Sequence, residues 1–133
     1  MSAEEALLGS LIIAPSYLSK ARASLSGPSF SVSAHAVIWG ALCELEDNRR
    51  SIDLVTVAST LESHNMLESA GGYAYLSSLL DHGGDPEAVG AYSALIQEAY
   101  TKRALGELGM RLIAQSEGGT SPYKVLHDTR EAV

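Results

Sequence analysis

The chain has 133 residues, of which 46% are hydrophobic and 19% charged, which is enough apolar material for one folded domain. Its formal net charge of −7 repels phosphate at long range and argues against a nucleic-acid-binding protein. A single cysteine excludes a disulfide within the chain. Neither a secretory signal nor an apolar run of about 20 residues is present, so we expect a cytoplasmic protein without a membrane segment.

The first half of the chain has the apolar spacing of helices. Ser2 followed by Glu5 matches a capping box, and the leucines after it predict a first helix with one apolar stripe. Pro15 suits the first turn of a second helix, which we expect to carry Leu25 and to end at the turn over residues 26–29.

A third helix is predicted over residues 34–45, and Asp53 is a good N-cap for a fourth helix after a polar turn. The β-branched valines of this fourth segment would also suit a short strand, but the cap and the i, i+3 spacing favour a helix. The residues expected to face the core from it are Val55, Ala58 and Leu61.

Glycine pairs divide the second half of the chain. Gly71-Gly72 predicts a turn before a short helix, and the sequence HGGDP at 82–86 predicts a break before a long helix that reaches about Ser116. Residues 123–133 predict a last helix, which we expect to pack against the long one as an antiparallel hairpin.

The predicted fold class is therefore all-α. A small helical bundle over residues 1–82 is followed by an antiparallel helical hairpin over residues 86–133, within one structural domain overall.

The sequence has no catalytic, cofactor-binding or metal-binding motif. No lysine follows a glycine, which excludes a P-loop, and no histidine has a partner at metal-ligand spacing. We expect no catalytic residue, no cofactor and no metal in this chain. Cys43 is interpreted as a buried, inert thiol and His35 as a hydrogen-bonded packing residue.

Four tyrosines lie around the start of the long helix: Tyr73, Tyr75, Tyr92 and Tyr100. They can fill the core with a hydrated hydroxyl, or they can be exposed aromatic anchors for a partner protein; both interpretations stay open. Basic residues do not alternate with them, so no stacking platform for single-stranded nucleic acid is indicated.

Several short motifs, taken in order, resemble one family. Ile52-Asp53-Leu54-Val55-Thr56 is the most recognisable, and it is followed by Gly71-Gly72 and Tyr75-Leu76. Glu4-Glu5-Ala6-Leu7-Leu8-Gly9 precedes it, and Arg103-Ala104-Leu105 comes later. Together they resemble the N-terminal domain of DnaB-type replicative DNA helicases. Two positions depart from the family pattern, Ala14 before the first proline and Ser51 before the isoleucine motif.

The resemblance implies a collar domain without chemistry of its own. In that family the hairpins pair into dimers, and three dimers form a collar that binds the C-terminal domain of primase and, in some systems, a helicase loader or a phage protein. ATP and Mg would belong to a motor domain that these residues lack, so this chain would not be an enzyme although its parent would be an ATP-dependent helicase.

The resemblance and the apolar spacing together suggest two sets of interaction residues. Self-association through the hairpin is expected at Leu105, Leu108, Leu112, Leu126 and Thr129. A surface for primase or another partner is expected at Glu5, Tyr92, Arg103 and Arg111.

Two other functions stay open. The residues end at Val133 before any motor, either as part of a longer helicase or as a free-standing adaptor or inhibitor that uses the same surfaces. A DNA-binding helical module is a further alternative, which the negative charge disfavours.

Overall fold

The computed structural model describes residues 2–117, and the regular secondary structure in this range is entirely helical. The all-α prediction is therefore confirmed, whereas the predicted last helix over residues 123–133 lies outside the described residues. Three short 3-10 turns, Pro15–Tyr17, Gly27–Ser29 and Pro86–Ala88, accompany the α-helices. The α-helices are α1 (Ala3–Ile13), α2 (Leu18–Arg22), α3 (Ser33–Asp47), α4 (Leu54–Ser63), α5 (Gly72–Asp81) and α6 (Val89–Glu117).

The chain forms two compact units, residues 1–100 and residues 101–133. The boundary falls within α6, so the described part of the second unit consists of the turns of that helix over residues 101–117. The division predicted from the sequence, residues 1–82 and 86–133, stays a prediction.

Helix α1 is the centre of the first unit. It begins at the predicted capping box, in which the Ser2 hydroxyl accepts from the Glu5 N–H at 3.1 Å and the Glu5 carboxylate accepts from the Ser2 N–H at 3.2 Å. Every residue from Ala6 to Ile12 is buried, so the buried surface covers nearly the whole circumference of the helix and not the single stripe expected from its leucines. A helix that is apolar all round is buried on all sides, and α1 accordingly contacts both α3 and α5.

Gly9 allows α1 and α5 to approach each other closely. A Cβ atom built on Gly9 would collide with the main-chain carbonyl oxygen of Leu79 and would lie 2.8 Å from the Cα of Gly83. The two helices can therefore keep this separation only because residue 9 has no side chain.

Helix α4 begins where the sequence predicted but faces the core differently. The Asp53 carboxylate accepts from the Thr56 N–H at 2.9 Å, which confirms the N-cap. Val57, Ala58 and Leu61 are buried, whereas Val55 is 68% exposed, so the prediction that Val55 faces the core is wrong. Residues two apart lie about 200° apart around a helix, so burying Val57 turns Val55 outward.

The second predicted helix is also shorter than expected. It begins as the 3-10 turn Pro15–Tyr17, and α2 ends at Arg22. Leu25 follows this end but is still buried, so it reaches the core from a turn.

The turn predicted at Gly71-Gly72 is confirmed, since these two glycines have φ of +100° and +83°.

We expect Gly9→Ala to destabilise the fold by about 1–3 kcal/mol, because the new methyl group has to displace main-chain atoms. Gly40→Ala is the matched control, since Gly40 is an exposed glycine of α3, and a Cβ added there would have no atom within 4 Å. The control should gain about 0.5–1 kcal/mol of stability from its higher helix propensity. Urea unfolding followed by circular dichroism measures both, and equal effects of the two substitutions would contradict the close approach.

Candidate functional site

The described residues offer no metal centre and no membrane span. Within residues 2–117, no cluster of three or more His, Cys, Asp or Glu side chains has a geometry that could hold a metal ion. No helix in this range is both long and apolar enough to cross a membrane. The features that remain are a buried hydrogen-bonded chain of side chains, an apolar face on α6 and grooves between helices.

A chain of hydrogen-bonded side chains joins three helices. Glu4 of α1 and His35 of α3 are both buried, and Oε1 of Glu4 lies 2.7 Å from Nδ1 of His35. On the other side of the imidazole, Nε2 lies 2.6 Å from the hydroxyl of Tyr75 in α5. The second oxygen of Glu4 accepts from the N–H and the hydroxyl of Ser31, at 2.9 Å and 2.7 Å. The prediction that His35 is a hydrogen-bonded packing residue is confirmed.

The charge on Glu4 determines the direction of these hydrogen bonds. Burial raises the pKa of Glu4, but the hydrogen bonds from the Ser31 N–H, His35 and the Ser31 hydroxyl outweigh burial, so that the pKa is lowered. An ionised carboxylate only accepts, so Nδ1 of His35 donates to it. The one proton of the Tyr75 hydroxyl can then be donated to Nε2 of a neutral imidazole, at 2.6 Å, or to the carboxylate of Glu5, at 3.3 Å.

This arrangement resembles the acid–histidine–hydroxyl geometry of a catalytic triad, but the hydroxyl is not activated. Burial, followed by the charge of Glu5, raises the pKa of Tyr75 to about 12, so the phenolate needed for nucleophilic attack is disfavoured. The Tyr75 hydroxyl also lies 3.3 Å from a carboxylate oxygen of Glu5. The hydrogen bonds that run from Glu4 through His35 to Tyr75 therefore fix α1, α3 and α5 relative to one another, and they do not generate a nucleophile.

Two of the predicted partner residues in the first unit are already occupied by contacts within it. Glu5 is half-buried, and hydrogen bonds from the Ser2 N–H, followed by contacts with the Ser2 and Tyr75 side chains, lower its pKa despite burial. Tyr92 is also half-buried, its hydroxyl accepts from the Asp85 N–H at 2.9 Å, and its ring lies against Gly84. No hydrogen bond joins Glu5 to Tyr92 in the described part of the chain, so the structure places them in separate local roles.

The other predicted residues of the first helical arm lie in the second unit. Arg103 is half-buried and Arg111 is exposed. Leu105 is exposed, whereas Leu108 and Leu112 are half-buried. Leu126 and Thr129, which were predicted on the second arm, lie outside the described residues.

An apolar face that the sequence reasoning missed lies on α6 within the second unit. Leu105, Met110 and Ile113 are 62%, 73% and 61% exposed. A Cβ built on Gly106 or Gly109, which lie between them, would meet no atom within 4 Å. These five residues are called the α6 face. Spacings of three, four and eight residues place them on one side of the helix, and this pattern could have revealed Met110 and Ile113 beside the leucines that were chosen.

A groove in the first unit lies between α3 and α4, with a volume of about 870 Å³. Small residues of α3 line it, together with Cys43. Cys43 is half-buried and not fully buried as expected, and burial raises the pKa of its thiol, which disfavours the reactive thiolate. At the rim, His64 lies 2.9 Å from Glu44, and Asp47 accepts from Arg22 at 2.9 Å.

Comparisons with known proteins agree with this geometry. A model of the DnaB-like helicase N-terminal domain family matches residues 1–98. The replicative DNA helicase DnaB of Treponema pallidum is 30% identical over 131 residues, which cover 98% of this chain and 30% of that protein. The chain therefore spans less than a third of the length of this curated relative.

Two solved structures share the fold. The N-terminal domain of DnaB helicase from Mycobacterium tuberculosis superposes with a TM-score of 0.89 at 24% identity, over 97% of this chain and 92% of that one. The N-terminal domain of DnaB helicase from Helicobacter pylori, whose structure was described with its interactions with primase, gives 0.75 at 16% identity, over 86% of this chain and 89% of that one.

We expect the charge of Glu4 to make the fold sensitive to acid. A carboxyl whose pKa is lowered in the folded state stabilises the fold above its unfolded pKa, and this contribution is lost as the pH falls through the folded value. Glu4→Gln should therefore cost about 2 kcal/mol near neutral pH, because an amide cannot accept from Ser31 and His35 with both of its polar atoms. The cost should shrink well below pH 4.5, the usual value for this carboxyl.

Urea unfolding at the two pH values measures this difference. Glu62→Gln is the matched control, since Glu62 is exposed and no hydrogen bond of its side chain is found in the described part of the chain, so it should change stability by less than about 0.5 kcal/mol at either pH. A cost for Glu4→Gln that stays the same at both pH values would contradict the role assigned to its charge.

Proposed function

This chain belongs to the family of DnaB-like helicase N-terminal domains, and from that premise we propose that it is a protein-interaction domain of a replicative helicase, which joins copies of itself and binds primase. The observation that carries this proposal is the α6 face, where three large apolar side chains are exposed together around two glycines. Contiguous exposed apolar surface on a protein of this size is typical of an interaction site.

Burial energetics support self-association through the α6 face. Full burial of a Leu, Met or Ile side chain stabilises a complex by about 1.5–3 kcal/mol before the costs of association are subtracted. Gly106 and Gly109 would let a second helix come close to the backbone of α6. Two copies related by a twofold axis would present the same face to each other, so that one symmetric contact covers the apolar side chains of both copies.

The proposed assembly is built from dimers of this domain. Dimers formed through α6 and the predicted second arm, with Leu126 and Thr129, would combine as three dimers in the collar of a hexameric helicase. The longer protein would bind ATP and Mg in its motor domain and act in the cytoplasm, and this domain would contribute contacts and no chemical step.

The C-terminal domain of primase is the proposed partner, and a loader or a phage protein would use the same surface in other systems. The support is the relationship to the Helicobacter pylori domain, whose description includes interactions with primase. Among the residues proposed for this contact, Arg111 is the most accessible, since Glu5, Tyr92 and Arg103 are half-buried. A cationic contact would also add attraction for a partner in a chain that is otherwise acidic.

We expect Met110→Asp and Leu105→Asp each to weaken self-association at least about tenfold, because a carboxylate would have to be desolvated in an apolar contact. Sedimentation equilibrium measures the association, and circular dichroism verifies that the helices remain. Val32→Asp is the matched control, since Val32 is an exposed valine of the first unit at the N-cap position of α3. There an aspartate can cap the helix, so the control should fold and associate normally.

Two outcomes would argue against the α6 contact. The first is an unchanged mass in solution for both aspartate variants. The second is that Leu112→Asp, at a half-buried position that projects within about 20° of Leu105 around the helix, leaves both folding and association unaltered.

We expect a calorimetric titration with the C-terminal domain of primase from the same source to show saturable binding. Arg111→Glu should weaken this binding, because the substitution replaces an exposed cation with an anion, while Arg50→Glu in the first unit should not. Absence of binding by a folded, self-associated domain would refute the claim that this domain recognises primase on its own.

A further inference from the structure

A second groove in the first unit carries an interaction surface that the proposed function does not use. One face of α4 forms one wall, with residues spaced i, i+3, i+4 and i+7, and residues from the start of α5 and the turn before it form the other. This α4–α5 groove has a volume of about 390 Å³ and is lined by Val55, Ala58, Ser59, Glu62, Leu67 and Tyr73. A recess of about 380 Å³, lined by Glu62, Asn65, Leu67 and Glu68, adjoins it and shares two of its residues.

Four of the six residues that line the α4–α5 groove are apolar or aromatic. Val55 is 68% exposed and Tyr73 is 51% exposed, and the buried Ala58 and the half-buried Leu67 also line the groove. Valine is also a weaker helix former than Lys, Arg, Gln or Glu, so helix formation alone gives no reason for it at an outward position of α4. Because the side chain of Tyr73 is 51% exposed, the interpretation of the tyrosines as exposed aromatic anchors fits Tyr73 better than core filling.

The acidic side chains that line the α4–α5 groove and its adjoining recess lack counterions among the described residues. The side chains of Glu62 and Glu68 form no ion pair or hydrogen bond within residues 2–117, and no lysine or arginine of this range lines either space. The acids beside the larger α3–α4 groove differ, since Asp47 is paired with Arg22 and Glu44 with His64. The α4–α5 groove thus combines an apolar wall with two carboxylates that the described residues leave unpaired.

We propose that the α4–α5 groove binds a segment of a partner protein in which one or two large apolar side chains are flanked by lysine or arginine. The apolar side chains would cover Val55 and Tyr73, and the flanking cations would pair with Glu62 and Glu68. Nucleic acid does not fit, because its phosphates would meet these carboxylates and a chain of net charge −7. A second copy fits poorly for the same reason, since two surfaces of like charge would repel each other.

This inference does not rest on the proposed self-association through α6. The two sites lie in different units of the chain, and either can be removed by substitution without changing the residues of the other.

Fluorescence anisotropy of a labelled peptide tests the groove directly. The probe is the amidated peptide Lys-Arg-Leu-Phe-Lys-Arg, and its partner probe carries glutamate in place of each basic residue. We expect saturable binding of the basic peptide only, weakened by added salt. Val55→Ser, Tyr73→Ser and the double variant Glu62→Lys with Glu68→Lys should each lower the affinity at least about tenfold. Backbone amide NMR shifts should locate the peptide at α4 and the start of α5.

Matched control variants distinguish peptide binding at the groove from nonspecific apolar or electrostatic binding elsewhere on the chain. Val32→Ser removes an exposed apolar side chain elsewhere, and Asp81→Lys with Glu107→Lys reverses two exposed acids outside the groove; both should retain peptide binding. Leu105→Asp should also retain it, so a failure of the α6 proposal would leave this result unchanged.

Four results would overturn the proposal. The first is that the basic peptide does not bind, and the second is that the acidic peptide binds equally well. The third is that the control variants lose as much peptide affinity as the groove variants. The fourth is that Tyr73→Ser changes the oligomeric state of the chain without peptide, which would identify a second copy as the occupant. A fifth would be saturable binding of labelled single-stranded DNA to the chain itself, with amide shifts at α4 and the start of α5, which would favour a nucleic-acid site.

Discussion

The close contact between α1 and α5 at Gly9 is the constraint on which the first unit depends. With the two helices held at this separation, the side chains of α1 are covered on nearly every side, and Leu7, Leu8 and Leu11 become inaccessible to solvent. A polar group placed in such a centre has to find partners there, and Glu4 does so through Ser31 and His35. The hydrogen-bonded chain to Tyr75 is thus a consequence of burying the first turn of α1, and it orients α3 and α5 around that helix.

Electrostatics, and not geometry alone, determines what the hydrogen-bonded side chains Glu4, His35 and Tyr75 can do. An acid, an imidazole and a hydroxyl stand at distances of 2.7 Å and 2.6 Å, as they would in a hydrolase. The raised pKa of Tyr75 distinguishes this arrangement from an activated nucleophile, because both burial and the nearby carboxylate of Glu5 stabilise the protonated phenol. The three side chains therefore serve stability, and the surfaces of the molecule are where its function is to be sought.

Those surfaces differ in chemistry. The α6 face has apolar side chains and glycines at its centre, which suits a like surface on a second copy. The α4–α5 groove has an apolar wall beside carboxylates without partners among the described residues, which suits a basic partner and not a second acidic chain. In the proposed function, the first contact would join copies of the domain, and the second would recruit a different protein.

Local signals in the sequence determined where α1, α4 and α5 begin, and they determined the family. Ser2, Asp53 and the pair Gly71-Gly72 act on the backbone within a few residues of themselves, so their effects could be read without the rest of the chain. The same holds for the motifs by which the chain resembled DnaB-type helicase domains, a resemblance that the family match bears out. Only the tertiary structure decided which side of each helix is covered. Val55 and Val57 are equally apolar, and Met110 and Ile113 are as apolar as Leu108, so composition could not say which would be buried. That choice depends on the rotation of each helix about its axis, which packing against distant residues sets and no local pattern contains.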